Sequence, residues 1–149
     1  MSYTEIKRDR YLQKLIGYMW DGQVKVITGI RRCGKSYLLR TIFKQYLLSK
    51  GVNPQNIISI ELDLTRDIRF RNPLELASYV RGIVENSNEE FYLFIDEIQM
   101  SDQVPNPYNA LGKPITFYDA LNDLKSLSNL DVYVTGSNSK MLSSDILTE

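Results

Sequence analysis

Residues 29–36 read Gly-Ile-Arg-Arg-Cys-Gly-Lys-Ser, and their surroundings constrain how the chain can fold. Upstream, Val24-Lys25-Val26-Ile27-Thr28 has the β-branched content of a strand. Downstream, Leu38, Leu39, Ile42, Phe43, Tyr46 and Leu47 recur at helical spacing and stop before Gly51, which is placed for the left-handed residue that closes a helix. A strand therefore feeds a glycine-bounded loop and a helix leaves it. In that setting the spacing GxxxxGK[ST] wraps successive backbone N–H groups around a phosphate, in front of the positive end of the helix. Gly29 and Gly34 supply the backbone freedom. Lys35 is expected on the β- and γ-phosphates of a nucleotide, and the Ser36 hydroxyl on a magnesium ion that keeps several waters.

The expected nucleotide contacts run from Gly29 through Ile30, Arg31, Arg32, Cys33, Gly34, Lys35 and Ser36 to Tyr37. Arg31 and Arg32 are secondary, since loop arginines are more often solvated than bound to phosphate. Cys33 reads as a small residue in a tight loop; the alternative is a redox role, its thiol activated by Lys35 and the helix terminus. It is the sole cysteine, so no internal disulfide forms, and the absence of histidine excludes zinc chemistry and serine-histidine catalysis within these residues. Eighteen Lys plus Arg against eighteen Asp plus Glu give no pull toward nucleic acid or an anionic membrane. With 149 residues, 43% of them hydrophobic, one domain over 1–149 is expected. A polar start without an eighteen-residue apolar run leads us to expect a cytoplasmic protein.

Elsewhere the pattern alternates. A leading helix is expected over 10–20, a second strand over Ile57 to Leu62, and a helix from Asn72-Pro73 carrying Leu76, Tyr79, Val80 and Ile83. Phe91-Tyr92-Leu93-Phe94-Ile95 reads as a parallel strand covered on both faces and ending at Asp96-Glu97. Ser101 to Pro114 reads as a loop, followed by a helix from Phe117 to Leu127 and a fourth strand over Val132 to Val134. A short amphipathic piece with Met141, Leu142 and Ile146 comes last. This order predicts an α/β fold in three layers, with a mainly parallel sheet between helices. Ligands of such sheets bind beyond the carboxyl ends of the strands, where the Gly29 loop, Asp96-Glu97 and Thr135 to Asn138 are all expected.

Asp96, after its apolar run, is expected to hold magnesium through a bound water, and Glu97 to activate the water that attacks the γ-phosphate. An extra strand lies in sequence between the strands carrying Lys35 and Asp96. P-loop proteins with that strand and a glutamate at this position resemble the ATPase division, AAA-type proteins included. The resemblance implies that the Val132 to Val134 strand lies between the other two, with a polar tip that senses the γ-phosphate; Asn138 is the preferred residue and Thr135 the alternative.

Together, Val26-Ile27-Thr28-Gly29-Ile30-Arg31-Arg32-Cys33-Gly34-Lys35-Ser36, Leu93-Phe94-Ile95-Asp96-Glu97-Ile98-Gln99 and Asp131-Val132-Tyr133-Val134-Thr135-Gly136-Ser137-Asn138-Ser139-Lys140 resemble prokaryotic AAA-type ATPases that usually carry a C-terminal domain of unknown function. The resemblance implies that an arginine-containing segment, a further strand and that domain follow Glu149. With no strand expected after Val134, the phosphate-loop strand should form an edge of the sheet. An open edge predicts self-association or low stability. A missing arginine predicts slow hydrolysis.

The leading reading is a magnesium-dependent ATPase with Glu97, Lys35 and Asn138 as catalytic residues and Ser36 and Asp96 on the metal. A nucleotide-dependent switch with little turnover and a small-molecule kinase are the alternatives. Direct nucleic-acid binding has no support beyond scattered arginines. ATP over GTP rests on the resemblance; Ile6 and Tyr11 could line a base pocket, though core packing is the stronger reading.

Overall fold

The computed structural model describes residues 3–28, 34–136 and 145–147, with the side chains of 8–28, 34 and 36–136. A leading helix α1 (Tyr3–Gly17) precedes β1 (Lys25–Thr28). After the loop come α2 (Lys35–Tyr37), a π-helical stretch Leu38–Phe43, and α3 (Lys44–Ser49). Gly51 closes this run at φ +89°, the left-handed position expected of it, and the Val52 N–H returns to the Leu47 carbonyl at 3.1 Å. β2 (Ile57–Glu61), α4 (Pro73–Val84), β3 (Phe91–Asp96), α5 (Phe117–Lys125), β4 (Leu130–Gly136) and β5 (Asp145–Leu147) complete the order.

Local chemistry sets these boundaries. The Asn72 carboxamide oxygen accepts the N–H groups of Leu74 at 2.9 Å and Glu75 at 3.4 Å, and Pro73 occupies the position where a missing donor costs nothing. Thr116 and Asp119 form a reciprocal capping box at the start of α5. Ser101 to Pro114 is mostly loop, pinched by an antiparallel bridge between Val104 and Ile115 and tied to Arg71, whose carbonyl accepts the Asp102 N–H at 2.7 Å.

The strands lie in the order β2-β3-β4-β1-β5, and every pairing is parallel. β4 therefore sits between β3 and β1, as the family resemblance implied. The expected edge is not where the sequence put it: β5 pairs with β1, so the phosphate-loop strand is interior. Asp145–Leu147 spans three residues, in a segment where the apolar spacing of Met141, Leu142 and Ile146 predicts a short amphipathic piece and no strand. Tertiary pairing overrides so short a local pattern, and the argument for self-association through β1 falls with it.

Alternating residues feed two cores. Val26, Ile60, Leu93, Ile95, Val132 and Val134 pack with Leu76, Val80 and Leu124 of α4 and α5. On the other face Ile27, Phe94 and Tyr133 pack with Leu15 of α1 and with Leu39, Phe43 and Leu47. Phe43 anchors that layer, its ring centroid 4.8 Å from Tyr133 and 5.8 Å from Phe94. Tyr11 packs against this core, the stronger of its two expected roles. Helices thus cover both faces of one sheet, and its parallel pairing points the carboxyl ends of β1, β3 and β4 to the same side.

At the opposite end lies a buried polar knot. Lys25, fully buried in β1, pairs with Asp131 of β4 and donates to the Gln23 carbonyl at 2.8 Å. Asp131 also accepts the Tyr133 hydroxyl at 2.7 Å and the Trp20 N–H at 2.9 Å. The charges are matched inside the protein, which offsets part of the cost of burying them.

Candidate functional site

Gly34 stands at the mouth of the loop with φ +75°, a conformation that disfavours any residue with a Cβ. Its carbonyl accepts the Leu38 N–H at 2.8 Å, so the helix begins here. Lys35 opens α2. Gly29, Ile30, Arg31, Arg32 and Cys33 lie outside the described residues, as do the Lys35 side chain and Asn138.

Three strand ends and the first helical turn converge on Asp96. The Ser36 hydroxyl donates to its carboxylate, 2.7 Å from Oδ1 and 3.0 Å from Oδ2. The Thr135 hydroxyl, fully buried at the end of β4, donates to Oδ1 as well. Thr135 Oγ1 also accepts the Glu97 N–H at 3.0 Å. One hydroxyl therefore sets the carboxylate of Asp96 and the backbone of the next residue. Asp96 is the last residue of β3, one step deeper in the strand than its sequence suggested.

Glu97 has φ 60° and ψ 53°, the left-handed region, which costs about 1–2 kcal/mol for a residue with a side chain. The turn breaks the strand immediately after Asp96 and starts the short helix Ile98–Met100. The Gln99 carboxamide donates to Glu97 Oε2, so the expected base is held by its own turn.

A ring of charge surrounds the Asp96 side of the site. Parallel register pairs Glu61 of β2 with Asp96 of β3. Arg40, four residues after Ser36, pairs with Glu61, and its Nε lies 3.8 Å from Asp96 Oδ2. Arg66 pairs with Glu61 from the other side, and the Glu61 N–H donates to Asp67 at 2.9 Å. Sequence reasoning missed Arg40, Glu61 and Arg66. The spacing of Ser36 and Arg40 was a usable signal, because residues four apart share a helix face.

The donor set fits a hard divalent cation. Ser36 and Asp96 present oxygens only, and Asp96 is 4% exposed. Among the described residues no group of three or more His, Cys, Asp or Glu gathers as a metal cage. The two oxygen donors Ser36 and Asp96 suit magnesium, which takes one or two protein oxygens and completes its shell with water and phosphate.

The model of the AAA domain matches residues 21–149. The chain belongs to the AAA domain family. It is thus an ATPase-like, nucleotide-binding module with the P-loop α/β fold. An uncharacterised protein of Haemophilus influenzae is 31% identical over 148 residues, which are 99% of this chain and 34% of that protein. The uncharacterised protein MJ1544 of Methanocaldococcus jannaschii is 32% identical over 130 residues, 85% of this chain and 24% of that protein. The AAA domain chain thus spans about a third or less of the length of these curated relatives. A chain in the structure of Drosophila ORC bound to DNA superposes with a TM-score of 0.56 at 13% identity, covering 92% of this chain and 79% of that one. At that identity the likeness is one of fold. No helix among the described residues is long and apolar enough to cross a membrane.

Proposed function

We propose that this AAA domain binds ATP with magnesium and hydrolyses it to ADP and phosphate. The observation that carries the reading is the 2.7 Å contact between the Ser36 hydroxyl and Asp96, which joins the end of the phosphate loop to the end of β3. Lys35 and the backbone amides of 29–36 hold the phosphate chain. Ser36 and Asp96 hold magnesium, with Thr135 and Arg40 fixing the Asp96 carboxylate. When bound, the ion supplies positive charge against the charge that builds on the phosphate oxygens.

Glu97 Oε2 or its partner oxygen takes the proton of the attacking water, from a left-handed turn that follows directly on Asp96. Asn138 contacts the γ-phosphate from beyond the end of β4. The preference for ATP over GTP rests on family membership.

The test compares the unmodified chain with Lys35→Ala for equilibrium binding of ATP and for release of inorganic phosphate with and without magnesium. The reading requires ATP binding that Lys35→Ala removes and phosphate release that needs magnesium. Binding without turnover would leave the nucleotide switch, and transfer of phosphate to an added acceptor in place of water would leave the kinase.

A further inference from the structure

We propose that Arg8, carried by α1, is a nucleotide-contacting residue whose guanidinium binds the phosphate chain held by the loop. The inference rests on the nucleotide-binding reading above and adds to it a residue outside the segment matched by the family model, which begins at residue 21.

Arg8 reaches the loop from the helix that precedes β1. Its guanidinium carbon lies 4.7 Å from the centroid of the Tyr37 ring, directly after Ser36. Its Nη2 lies 3.9 Å from the point where a Cβ on Gly34 would stand, the nearest atom among the described residues apart from Gly34 and its two chain neighbours. The guanidinium thus covers the face of Gly34 that the absence of a side chain leaves open. Gly34 is the residue whose positive φ shapes the mouth of the phosphate loop.

The chemistry suits a phosphate. Arg40, Arg66 and Arg81 are each paired with a carboxylate, whereas among the described residues no carboxylate pairs with Arg8. Among the described residues its positive charge is left without a carboxylate partner. A guanidinium presents five N–H donors in a planar fork that matches phosphate oxygens, and its place over the Tyr37 ring restricts it before a ligand arrives. Pre-organisation lowers the ordering cost of binding. Tyr37 then acts as a positioning residue, holding Arg8 over the loop.

Three chains are compared in equilibrium titrations with ATP and with ADP, with the melting temperature of each chain measured without nucleotide: unmodified, Arg8→Gln and Arg8→Lys. A charge on the phosphates predicts that Arg8→Gln weakens both nucleotides by about tenfold or more, and that Arg8→Lys recovers most of the loss. Equal affinity in Arg8→Gln and the unmodified chain overturns the proposal, as does a Lys variant as weak as the Gln variant, which would make the role one of packing on Tyr37.

A second measurement needs no variant. Phenylglyoxal, which modifies free guanidinium groups, is applied to the unmodified chain and the Arg8 peptide is weighed. Saturating ATP or ADP should protect Arg8 and adenosine should not; modification unchanged by saturating ATP overturns the proposal even if Arg8→Gln fails to fold. An unmodified chain that binds no nucleotide rejects the ATPase reading and this inference together. Intact ATP binding with an unprotected Arg8 rejects this inference alone.

Discussion

The Ser36 hydroxyl donates to Asp96 Oδ1 at 2.7 Å, joining two residues 60 positions apart in the chain. In the proposed function both groups serve one magnesium ion. Ser36→Ala should therefore weaken ATP binding in magnesium by about tenfold or more while changing ATP binding in EDTA by less than about twofold. Calorimetric titration under the two conditions reads the difference. A loss of equal size in both would assign Ser36 to the phosphates and not to the metal.

Thr135 joins Asp96 to Glu97 through one buried hydroxyl that donates to the first and accepts from the backbone of the second. Thr135→Val keeps the shape and removes both bonds, leaving the Glu97 N–H without its described acceptor. The cost should be about 1–3 kcal/mol in urea unfolding. Phosphate release should fall with it, because the carboxylate and the turn that carries Glu97 lose their common support. Unchanged stability would show that another group satisfies the Glu97 N–H.

Glu97 occupies left-handed backbone that glycine adopts freely, so function and stability should separate at this residue. Glu97→Gln should lower phosphate release by about 10²- to 10⁴-fold and leave ATP affinity intact. Glu97→Gly should be equally inactive and yet melt higher than Glu97→Gln, by up to about 3 °C, as relief of backbone strain outweighs the flexibility of glycine. A Gly variant that melts below the Gln variant would mean that the side-chain bond from Gln99 stabilises the turn by more than the strain costs.

Much of this site was legible because phosphate loops have their chemistry in consecutive residues. The β-branched run before Gly29, the apolar run before Asp96 and the helix start at Asn72-Pro73 each announce themselves locally. What was not legible depends on residues brought together by the sheet. Arg40, Glu61 and Arg66 read as ordinary charged residues until β2 and β3 pair Glu61 with Asp96. Lys25 sits in a run read simply as a strand, and its burial depends on Asp131, 106 residues away. β5 escaped for the same reason: three residues carry too little pattern to specify a strand without β1 beside them. Thr135 was weighed only as an alternative to Asn138, since its two bonds need β3 as well as β4.

The knot at the far end of the sheet predicts how the fold responds to alkali. Tyr133 is fully buried, and burial together with the neighbouring Asp131 charge and its hydrogen bond to that carboxylate pushes its phenol well above its ordinary value near 10.0. Lys25, whose Nζ lies 5.0 Å from the ring centroid, faces it across the β1–β4 pair, Asp131 lies two residues before it on β4, and Asp21 and Tyr92 add further titratable groups nearby. Below about pH 10 the folded and unfolded chains both keep the Tyr133 proton, so its contribution is whole. Above that pH the unfolded chain releases the proton while the folded chain retains it, and stability falls by up to about 1.4 kcal/mol per pH unit from this group. Tyr133→Phe should be less stable at pH 8 by about 1 kcal/mol, having lost the bond to Asp131, and should lose less stability than the unmodified chain between pH 10 and pH 11. Urea midpoints measured across that range test the pairing of signs. Parallel alkaline slopes in the two chains would show that Tyr133 ionises in the folded protein as readily as in the unfolded one, and that the knot is open to water.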